Sequence, residues 1–478
     1  MSYELREKCA VAGVVTSDDE VHASAYLYEE LFALQHRGAE ASGMVSDPEG
    51  SNLQYRRANG LVRDVYNEEH MQNLVGSIAI GHNRYSTNGA RYGHFQPYID
   101  KPIGLAFAHN GNLPVTKKLE ANLQRHNIRT EHYNDSEMMG MAIAQNIRDG
   151  HNLVDAVEAA YPLFQGAFSC VAMHDGVMVA FRDSKGIRPL ALGKFDGNFT
   201  VASETCGLDI IGASYTREVE PGEMVIITEN GFESRTIEDS GESKLDMFEY
   251  VYFARHDSML YNQRVNEVRR RFGEKLAIAH PPKSDDIDNI LVVPVPDTSV
   301  PAAEGYADAL GLRHGQAIIK NRYIGRTFMA NSQKKRKQQL RRKHNMIPEI
   351  IEGKDLILID DSIVRGNTMP IIVELAHELG AKTVSVLIAS PPVRFPDFYG
   401  IDTPEQSKLM AAVKNREKMR RKINADHLGF LTVSQMVDAT GIPRDQFNLS
   451  SFTGEYPIPI GKENRKKLFM PKSMEDAE

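Results

Sequence analysis

The 478-residue chain has few cysteines, no long apolar run and no excess of positive charge. Its three cysteines, Cys9, Cys170 and Cys206, exclude a disulfide framework and a cysteine-rich metal cluster, and they favour a reducing cytoplasm. Apolar runs such as 383–393 are too short to span a bilayer, and residues 1–8 lack the apolar core of a signal peptide. A net charge of −8 argues against general nucleic-acid affinity. The remaining composition is ordinary for a soluble globular protein of two or three domains.

The most informative stretch is LILIDDSIVRGNT, residues 356–368. Its four apolar residues predict a buried parallel strand, and two carboxylates, Asp360 and Asp361, follow at the carboxyl end of that strand. A helix is predicted over 369–379 and a second strand over 383–389. Together they form a βαβ unit, and ligands of such sheets bind beyond the carboxyl ends of the strands.

The loop inside this unit suits a sugar phosphate. Backbone N–H groups of a loop and a helix N-terminus bind phosphate, and Gly366 allows the backbone to approach closely. The two carboxylates can accept hydrogen bonds from ribose hydroxyls or hold Mg²⁺. The alternative is a solvated acidic turn without a ligand.

The same stretch resembles the 13-residue phosphoribosylpyrophosphate (PRPP) signature of type I phosphoribosyltransferases. The resemblance implies an α/β type I phosphoribosyltransferase domain with the signature loop around PRPP. The residues implied to bind it are Asp360, Asp361, Ser362, Ile363, Val364, Arg365, Gly366, Asn367 and Thr368.

Another strand, predicted over 290–296 and so before the signature in the chain, is followed by Asp297-Thr298-Ser299. In the resemblance this loop faces the diphosphate, and the hydroxyl of Thr298 joins Asp360 and Asp361 around Mg²⁺, which accepts a sparse set of protein oxygens. The alternative is an N-cap for a helix that begins near Pro301, and both roles can hold together.

A basic run follows, with Lys and Arg concentrated between 334 and 343. Alone, this run is typical of a nucleic-acid patch or a solvated helix face. Next to a diphosphate site, a lid that closes over the polyanion and excludes water is the favoured interpretation. Lys320 and Arg322, which precede the run, are the candidates for diphosphate contact.

The N-terminal half contains five polar clusters near apolar, strand-like runs. A lone cysteine in a strand is usually a small core residue, but here the clusters could line one pocket with it. In order they are Cys9 in KCAVAGVV, QHRG at 35–38, GHNRYST at 81–87, HNGNL at 109–113 and DSE at 135–137.

These clusters, in this order, resemble the glutaminase domain of class II glutamine amidotransferases. That family has an N-terminal-nucleophile fold, an α+β αββα sandwich, in which a propeptide, here residues 1–8, is removed to expose the nucleophile, here Cys9. A thiol with a pKa of about 8.5 needs a base, and the freed α-amino group can serve. The resemblance further implies that Arg84 clamps the glutamine α-carboxylate and Asp135 its α-ammonium.

The same resemblance implies an oxyanion hole made by the Asn110 side chain and the Gly111 N–H. One position departs from the family, because Ala10 stands where a glycine usually follows the nucleophile. If that site needs a glycine-only conformation, processing or amidase activity would be impaired.

From residue 9 to about 460 the chain is similar to the glutamine PRPP amidotransferase family. Four segments outside the site motifs, EYVYFAR, KNRYIGRTF, PPVRFPDFYGID and FTGEYP, support this. The implied layout is a propeptide (1–8), a glutaminase domain (9–235), a polar boundary (229–245), a phosphoribosyltransferase domain (246–460) and a polar tail (461–478).

The implied reaction transfers ammonia from glutamine to PRPP in the first committed step of purine synthesis. The family also implies a homodimer or homotetramer with feedback by purine nucleotides. Some members hold an iron–sulfur cluster through four cysteines. The matching positions here are Asp246, Asp397, Asn448 and Ser451, none of which is a thiolate, so no cluster is expected.

Three rival functions remain open from the sequence. The first is a PRPP-binding regulator or an ammonia-only transferase, if Ala10 marks a dead glutaminase. The second is a class II amidotransferase with a different synthase domain, against which the PRPP signature counts. The third is a nucleic-acid binder acting through 334–343, against which the acidic net charge counts.

Overall fold

The computed structural model describes residues 9–17, 21–48, 52–84, 94–284, 286–321, 344–403 and 405–471. The predictions for the propeptide at 1–8, for Arg322 and for the basic run at 334–343 lie outside these residues. Among the described helices, none combines the length and the apolar character needed to cross a bilayer.

Two antiparallel sheets make up the N-terminal half, residues 9–236. Their strands are β1 (Cys9–Val15), β2 (Ala41–Asp47), β3 (Gln54–Asn59), β4 (Ile78–Arg84), β5 (Tyr98–Asp100), β6 (Leu105–Val115), β7 (Gln165–His174), β8 (Val177–Arg182), β9 (Ala191–Phe195), β10 (Asn198–Ala202), β11 (Ser214–Glu218), β12 (Glu223–Thr228) and β13 (Gly231–Thr236). The first sheet has the order β11-β9-β10-β1-β4-β2-β3 and the second β13-β12-β8-β7-β6-β5.

Helices cover the outer faces of both sheets. They are α1 (Ala23–Ala33), α2 (Val62–Val65), α3 (Glu68–Asn73), α4 (Lys117–Arg125), α5 (Asp135–Arg148), α6 (Leu153–Ala160) and α7 (Thr205–Ile210). Side chains alternate along β1, so Val11 and Val15 pack between the sheets while Ala12 and Val14 pack on the α1 side. Helices α4 to α6 pack on the second sheet. This arrangement confirms the predicted αββα sandwich.

The C-terminal half is built on a five-stranded parallel sheet of order β18-β17-β21-β22-β23. The strands of this half are β14 (Leu245–Asp246), β15 (Met259–Leu260), β16 (Gln263–Arg264), β17 (Ile290–Pro294), β18 (Arg313–His314), β19 (Ile318–Lys320), β20 (His344–Met346), β21 (Asp355–Asp360), β22 (Thr383–Ile388), β23 (His427–Phe430) and β24 (Phe447–Asn448).

Helices pack on both faces of this sheet, each face with its own apolar cluster. The helices of this half are α8 (Val265–Ala279), α9 (Val300–Leu310), α10 (Pro348–Ile351), α11 (Met369–Glu378), α12 (Met410–Val413), α13 (Arg416–Ile423), α14 (Val433–Thr440), α15 (Ser450–Thr453) and α16 (Lys462–Arg465). A parallel sheet covered on both faces confirms the predicted α/β class and explains the unbroken apolar runs of β17 and β21.

The polar segment predicted to mark the domain boundary, 229–245, contains one strand. Its first part forms β13, which pairs with β12 along its whole length. Phe232 packs toward the core between the sheets, whereas residues 233–236 face solvent. An edge strand with one apolar inward residue is as polar in composition as a linker, which is why the predicted boundary segment overlaps β13.

Candidate functional site

The first pocket begins at the strand pair β1 and β4. Cys9, the first residue of β1, is directly opposite Arg84, the last residue of β4. Paired residues of antiparallel strands project to the same face, so the predicted nucleophile and the predicted carboxylate clamp lie side by side. Only 8% of Cys9 is exposed, which places its thiol at the edge of the core.

The predicted oxyanion residues lie on β6. Asn110 is fully buried, and within the described part of the chain neither atom of its side-chain amide has a hydrogen-bond partner. A buried amide without partners costs about 1–3 kcal/mol, which a functional site can explain. Gly111 has φ +155°, and a Cβ there would lie 2.0 Å from the carbonyl oxygen of Ala167, so no larger residue fits.

The predicted ammonium ligand, Asp135, is the first residue of α5. Its carboxylate accepts hydrogen bonds from the backbone N–H of Leu113 at 3.1 Å and of Ser136 at 2.9 Å. The contact with Leu113 holds Asp135 against β6, at a position two residues after Gly111. The Arg84 guanidinium donates to the carbonyl oxygen of His94.

Ala10 adopts the strand conformation. It pairs with Asn83 in the β1–β4 ladder, is fully buried, and does not have a positive φ. The position therefore does not require a glycine-only backbone conformation.

Sequence reasoning missed the residues behind Cys9. It singled out the QHRG segment but found no partner for Arg37. The structure places Arg37 between two buried carboxylates, Glu204 and Glu249, which are distant in sequence. The available sequence signal was that both acids stand among apolar residues. Charged residues are almost never fully buried unless they are paired, so such acids indicate a buried partner of opposite charge.

The second pocket lies at the carboxyl ends of β17 and β21. It is a cavity of about 100 Å³. The structure brings together here the whole predicted signature loop with Thr298 and Lys320. The lining residues are Tyr252, Val295, Pro296, Thr298, Lys320, Asp360, Asp361, Ser362, Ile363, Val364, Arg365, Gly366, Asn367, Thr368 and Met369. Tyr252 is an addition that the sequence did not indicate.

Asp361 is the polar centre of this pocket. Its two carboxylate oxygens accept hydrogen bonds from the hydroxyls of Thr298 at 2.6 Å and Ser362 at 2.7 Å. Lys320 Nζ lies 3.0 Å from an oxygen of Asp297. The alternative role of this loop as a helix cap is weaker, since the N-cap residue of α9 is Ser299 and its side chain makes no capping bond.

Gly366 is required at its position in the loop. It has φ +62°, and a Cβ there would lie 2.2 Å from the sulfur of Met410. The backbone N–H of Met410 also donates to the carbonyl oxygen of Val364 at 2.8 Å. The first residue of α12 thus contacts the loop through both its backbone and its side chain.

The two halves touch next to the first pocket. The side-chain amide of Asn112 donates to the carbonyl oxygen of Phe398 at 2.8 Å. Two residues further, a Cβ on Gly400 would lie 3.5 Å from the Cα of Gly111. A loop of the C-terminal half therefore lies directly against the strand of the predicted oxyanion hole.

The four positions matched to cluster cysteines are all buried. Asp246 and Asn448 are register partners of β14 and β24, and Ser451 follows in α15. Burial and the neighbouring charge of Asp397 raise the pKa of Asp246 well above its usual value. The absence of an iron–sulfur cluster stays a prediction from the ligand chemistry.

Comparison with known proteins finds a match for each half of the chain. Residues 82–209 match the family model of a glutamine amidotransferase domain, and residues 273–392 match that of a phosphoribosyl transferase domain. An amidophosphoribosyltransferase of Synechococcus elongatus is 41% identical over 471 residues, covering 97% of this chain and 94% of the relative. One from Methanothermobacter thermautotrophicus is 36% identical, with 96% of each chain covered.

A solved structure is similar over nearly the whole chain. It is the glutamine PRPP amidotransferase from B. subtilis complexed with ADP and GMP. The TM-score is 0.86 at 36% sequence identity, with 95% of this chain and 98% of that chain covered. A likeness of this coverage extends across both halves.

Proposed function

This chain belongs to the amidophosphoribosyltransferase family, and from this membership we propose how its residues divide the reaction. The chain transfers ammonia from glutamine to PRPP, giving 5-phosphoribosylamine, glutamate and pyrophosphate. This reaction is the first committed step of purine biosynthesis. The observation that carries the residue assignment is the pairing of Cys9 with Arg84 across β1 and β4, together with the buried amide of Asn110 on β6, which has no hydrogen-bond partner among the described residues.

In the glutaminase half-reaction, the thiol of Cys9 attacks the amide carbon of glutamine. Removal of residues 1–8 converts the Cys9 nitrogen from an amide into an amine, which accepts the thiol proton. The Asn110 side chain and the Gly111 N–H donate to the oxyanion that forms. Arg84 and Asp135 hold the α-carboxylate and α-ammonium of glutamine, and water then releases glutamate.

In the synthase half-reaction, ammonia displaces pyrophosphate from C1 of PRPP. The loop from Asp360 to Thr368 holds the ribose and its 5-phosphate, and Lys320 with Arg322 contacts the diphosphate. No side chain needs to act as a covalent nucleophile, so positioning and charge supply the catalysis. Internal transfer protects ammonia from dilution and protonation in bulk water.

A divalent metal fits the second pocket. Thr298, Asp360 and Asp361 in its lining carry hydroxyl and carboxylate oxygens, which are the ligand type that Mg²⁺ prefers. We assign the metal to Thr298, Asp360 and Asp361. When bound, Mg²⁺ would neutralise charge on the leaving diphosphate.

The remaining assignments follow the family. We propose a glutaminase domain at 9–235, a phosphoribosyltransferase domain at 246–460, and a polar tail at 461–478. Purine nucleotides are the proposed feedback inhibitors, since the B. subtilis structure holds ADP and GMP. The enzyme is proposed to be a cytoplasmic homo-oligomer, a dimer or a tetramer, with no nucleic-acid or membrane partner.

Intact mass and glutamate release test this proposal together. The purified protein should be shorter by residues 1–8, and PRPP with Mg²⁺ should stimulate its release of glutamate from glutamine. An unprocessed chain that uses free ammonia but releases no glutamate would instead identify an ammonia-only transferase. A chain that binds PRPP without either activity would be a regulator.

A further inference from the structure

A fully buried arginine contacts the backbone of the nucleophile. Arg37 Nε lies 3.5 Å from the carbonyl oxygen of Cys9. Its two terminal nitrogens donate to the two oxygens of Glu249 at 2.9 and 3.1 Å. This paired geometry is the strongest way for a carboxylate to fix a guanidinium in both position and plane.

Glu249 comes from the other half of the chain. It begins a π-helical turn, Glu249–Phe253, and its side chain is fully buried. A second arginine, Arg188, approaches the same oxygen as Arg37, with Nη2 3.3 Å from Oε1 of Glu249. Burial raises the pKa of the Glu249 carboxyl, and the charge of Arg37 opposes that rise. The carboxylate is thus held by two arginines and has little freedom to move.

Glu204 completes the environment of Arg37. It pairs with the guanidinium and also accepts the backbone N–H of Arg255 at 2.9 Å and the hydroxyl of Ser258 at 2.6 Å. Although burial alone would raise the pKa of Glu204, His36 and Arg37 lower it well below the usual value. Residues 249–258 of the C-terminal half therefore hold Arg37 both directly and through Glu204.

The same segment reaches the second pocket. Tyr252 lines the PRPP cavity. The buried guanidinium of Arg269 donates to the carbonyl oxygens of Tyr250 at 2.7 Å and Ala254 at 2.9 Å. These bonds hold the backbone on either side of Tyr252. One braced segment thus contacts the cavity at one point and the arginine behind Cys9 at another.

We propose that Glu249 is a positioning residue for the glutaminase half-reaction. Its carboxylate fixes the position of the Arg37 guanidinium, and that guanidinium fixes the orientation of the Cys9 carbonyl. The orientation of the carbonyl in turn determines where the thiol and the α-amino group of Cys9 point. Glu249 touches neither glutamine nor PRPP. The inference rests on the proposed function, because it concerns the nucleophile of that reaction.

The test compares glutamine hydrolysis with ammonia-dependent synthesis in full-length Glu249→Gln. Loss of the charge releases Arg37, so the kcat of glutamate release should fall by roughly 10- to 100-fold, the effect of misplacing a reacting group by about 1 Å. The KM for glutamine should change by less than about twofold, because Arg84 and Asp135 are untouched. Ammonia-dependent release of pyrophosphate from PRPP should also stay within about twofold.

Several outcomes would overturn the inference. An unchanged kcat, a raised KM with normal kcat, or a parallel loss of both activities would each contradict a positioning role. If the wild-type chain itself releases no glutamate, the proposed function fails rather than this inference. Because Arg188 loses a partner in Glu249→Gln, that variant could fail to fold.

Two further variants keep the test decisive. Glu249→Asp retains the charge but withdraws the carboxylate from Arg37, so it should show a smaller loss of glutaminase kcat with normal use of ammonia. Full glutaminase activity in that variant contradicts the inference. The matched control is Glu30→Gln, which changes a carboxyl of equal burial that hydrogen-bonds to Thr200 and not to Arg37. An equal glutaminase defect in the control also contradicts it.

Discussion

The two pockets are built in different ways. The pocket around Cys9 is made of strands, and its register alone places Cys9 opposite Arg84. The pocket around Asp361 is made of loops beyond the ends of parallel strands, and its polar groups bond to one another through Thr298 and Ser362. The first holds an amide, that of Asn110, with both atoms unpartnered among the described residues.

This difference suits the chemistry proposed for each pocket. Covalent attack on a carbonyl needs atoms held to a fraction of an ångström, which paired strands provide. A diphosphate bound with a metal carries most of the charge that the reaction needs. The loops around it therefore have to follow its shape more than they have to fix single atoms in place. We therefore expect substitutions in the strand pocket to affect kcat selectively, and substitutions in the loop pocket to affect binding as well.

The largest expected effect is that of Cys9→Ala. Loss of the proposed nucleophile should lower glutamine-dependent synthesis by at least about 10⁴-fold, because the proposed covalent intermediate forms on its thiol. Ammonia-dependent synthesis should remain within about twofold of wild type. The two activities are measured side by side with PRPP and Mg²⁺. Equal loss of both would mean that the pockets are not separable.

Asp361→Asn should have the reverse pattern. The variant should lose about 10²- to 10³-fold in synthesis from either nitrogen source, because the proposed metal and diphosphate lose their central carboxylate. Glutamate release without PRPP should be little changed. Chelation of divalent metal from the wild-type enzyme should reproduce the loss, and added Mg²⁺ should restore activity. Undiminished synthesis by this variant would remove Asp361 from the site.

Asn110→Ala should separate activity from stability. Removing one oxyanion donor should lower glutaminase kcat by about 10²- to 10³-fold with little change in KM. Because the amide is buried and has no partner within the described ranges, its removal should leave the melting temperature unchanged or raise it. Kinetics and thermal unfolding check the two parts. A large loss of stability would show that Asn110 has a structural role instead.

The smallest effect is expected for Ala10→Gly. Since Ala10 already has strand geometry, glycine should not improve processing or glutamate release by more than about twofold. Glycine in a strand should instead lower stability by roughly 0.5–1 kcal/mol. Intact mass and glutaminase rate decide the matter. A large gain in either would revive the view that Ala10 impairs this half of the enzyme.

Much of the loop pocket was predictable from the sequence. The signature at 356–368 lies in β21 and the loop after it, and the helix predicted over 369–379 is Met369–Glu378. The prediction succeeds because every position of a buried strand followed by a phosphate loop is constrained in residue type. The placement of Thr298 beside Asp361 was also correct.

The residues that support the strand pocket from behind were less predictable. The motifs indicated that Cys9, Arg84, Asn110 and Asp135 belong together, but not what holds them. Glu249 lies 212 positions after Arg37 in the chain, and nothing local distinguishes it from a solvated acid. Only packing decides that such a carboxylate is buried, so partners of this kind lie beyond local sequence patterns.

The contact of Asn112 with Phe398, and the close approach of Gly400 to Gly111, limit how such enzymes can be recombined. A chimera joining this glutaminase to a relative's synthase would inherit a foreign loop against its oxyanion strand. A Cβ at position 400 would already be in van der Waals contact with that strand, and φ +132° at Gly400 strains any other residue there. We expect functional exchanges to require that 398–400 travel with the N-terminal half, although this loop belongs to the other half of the chain.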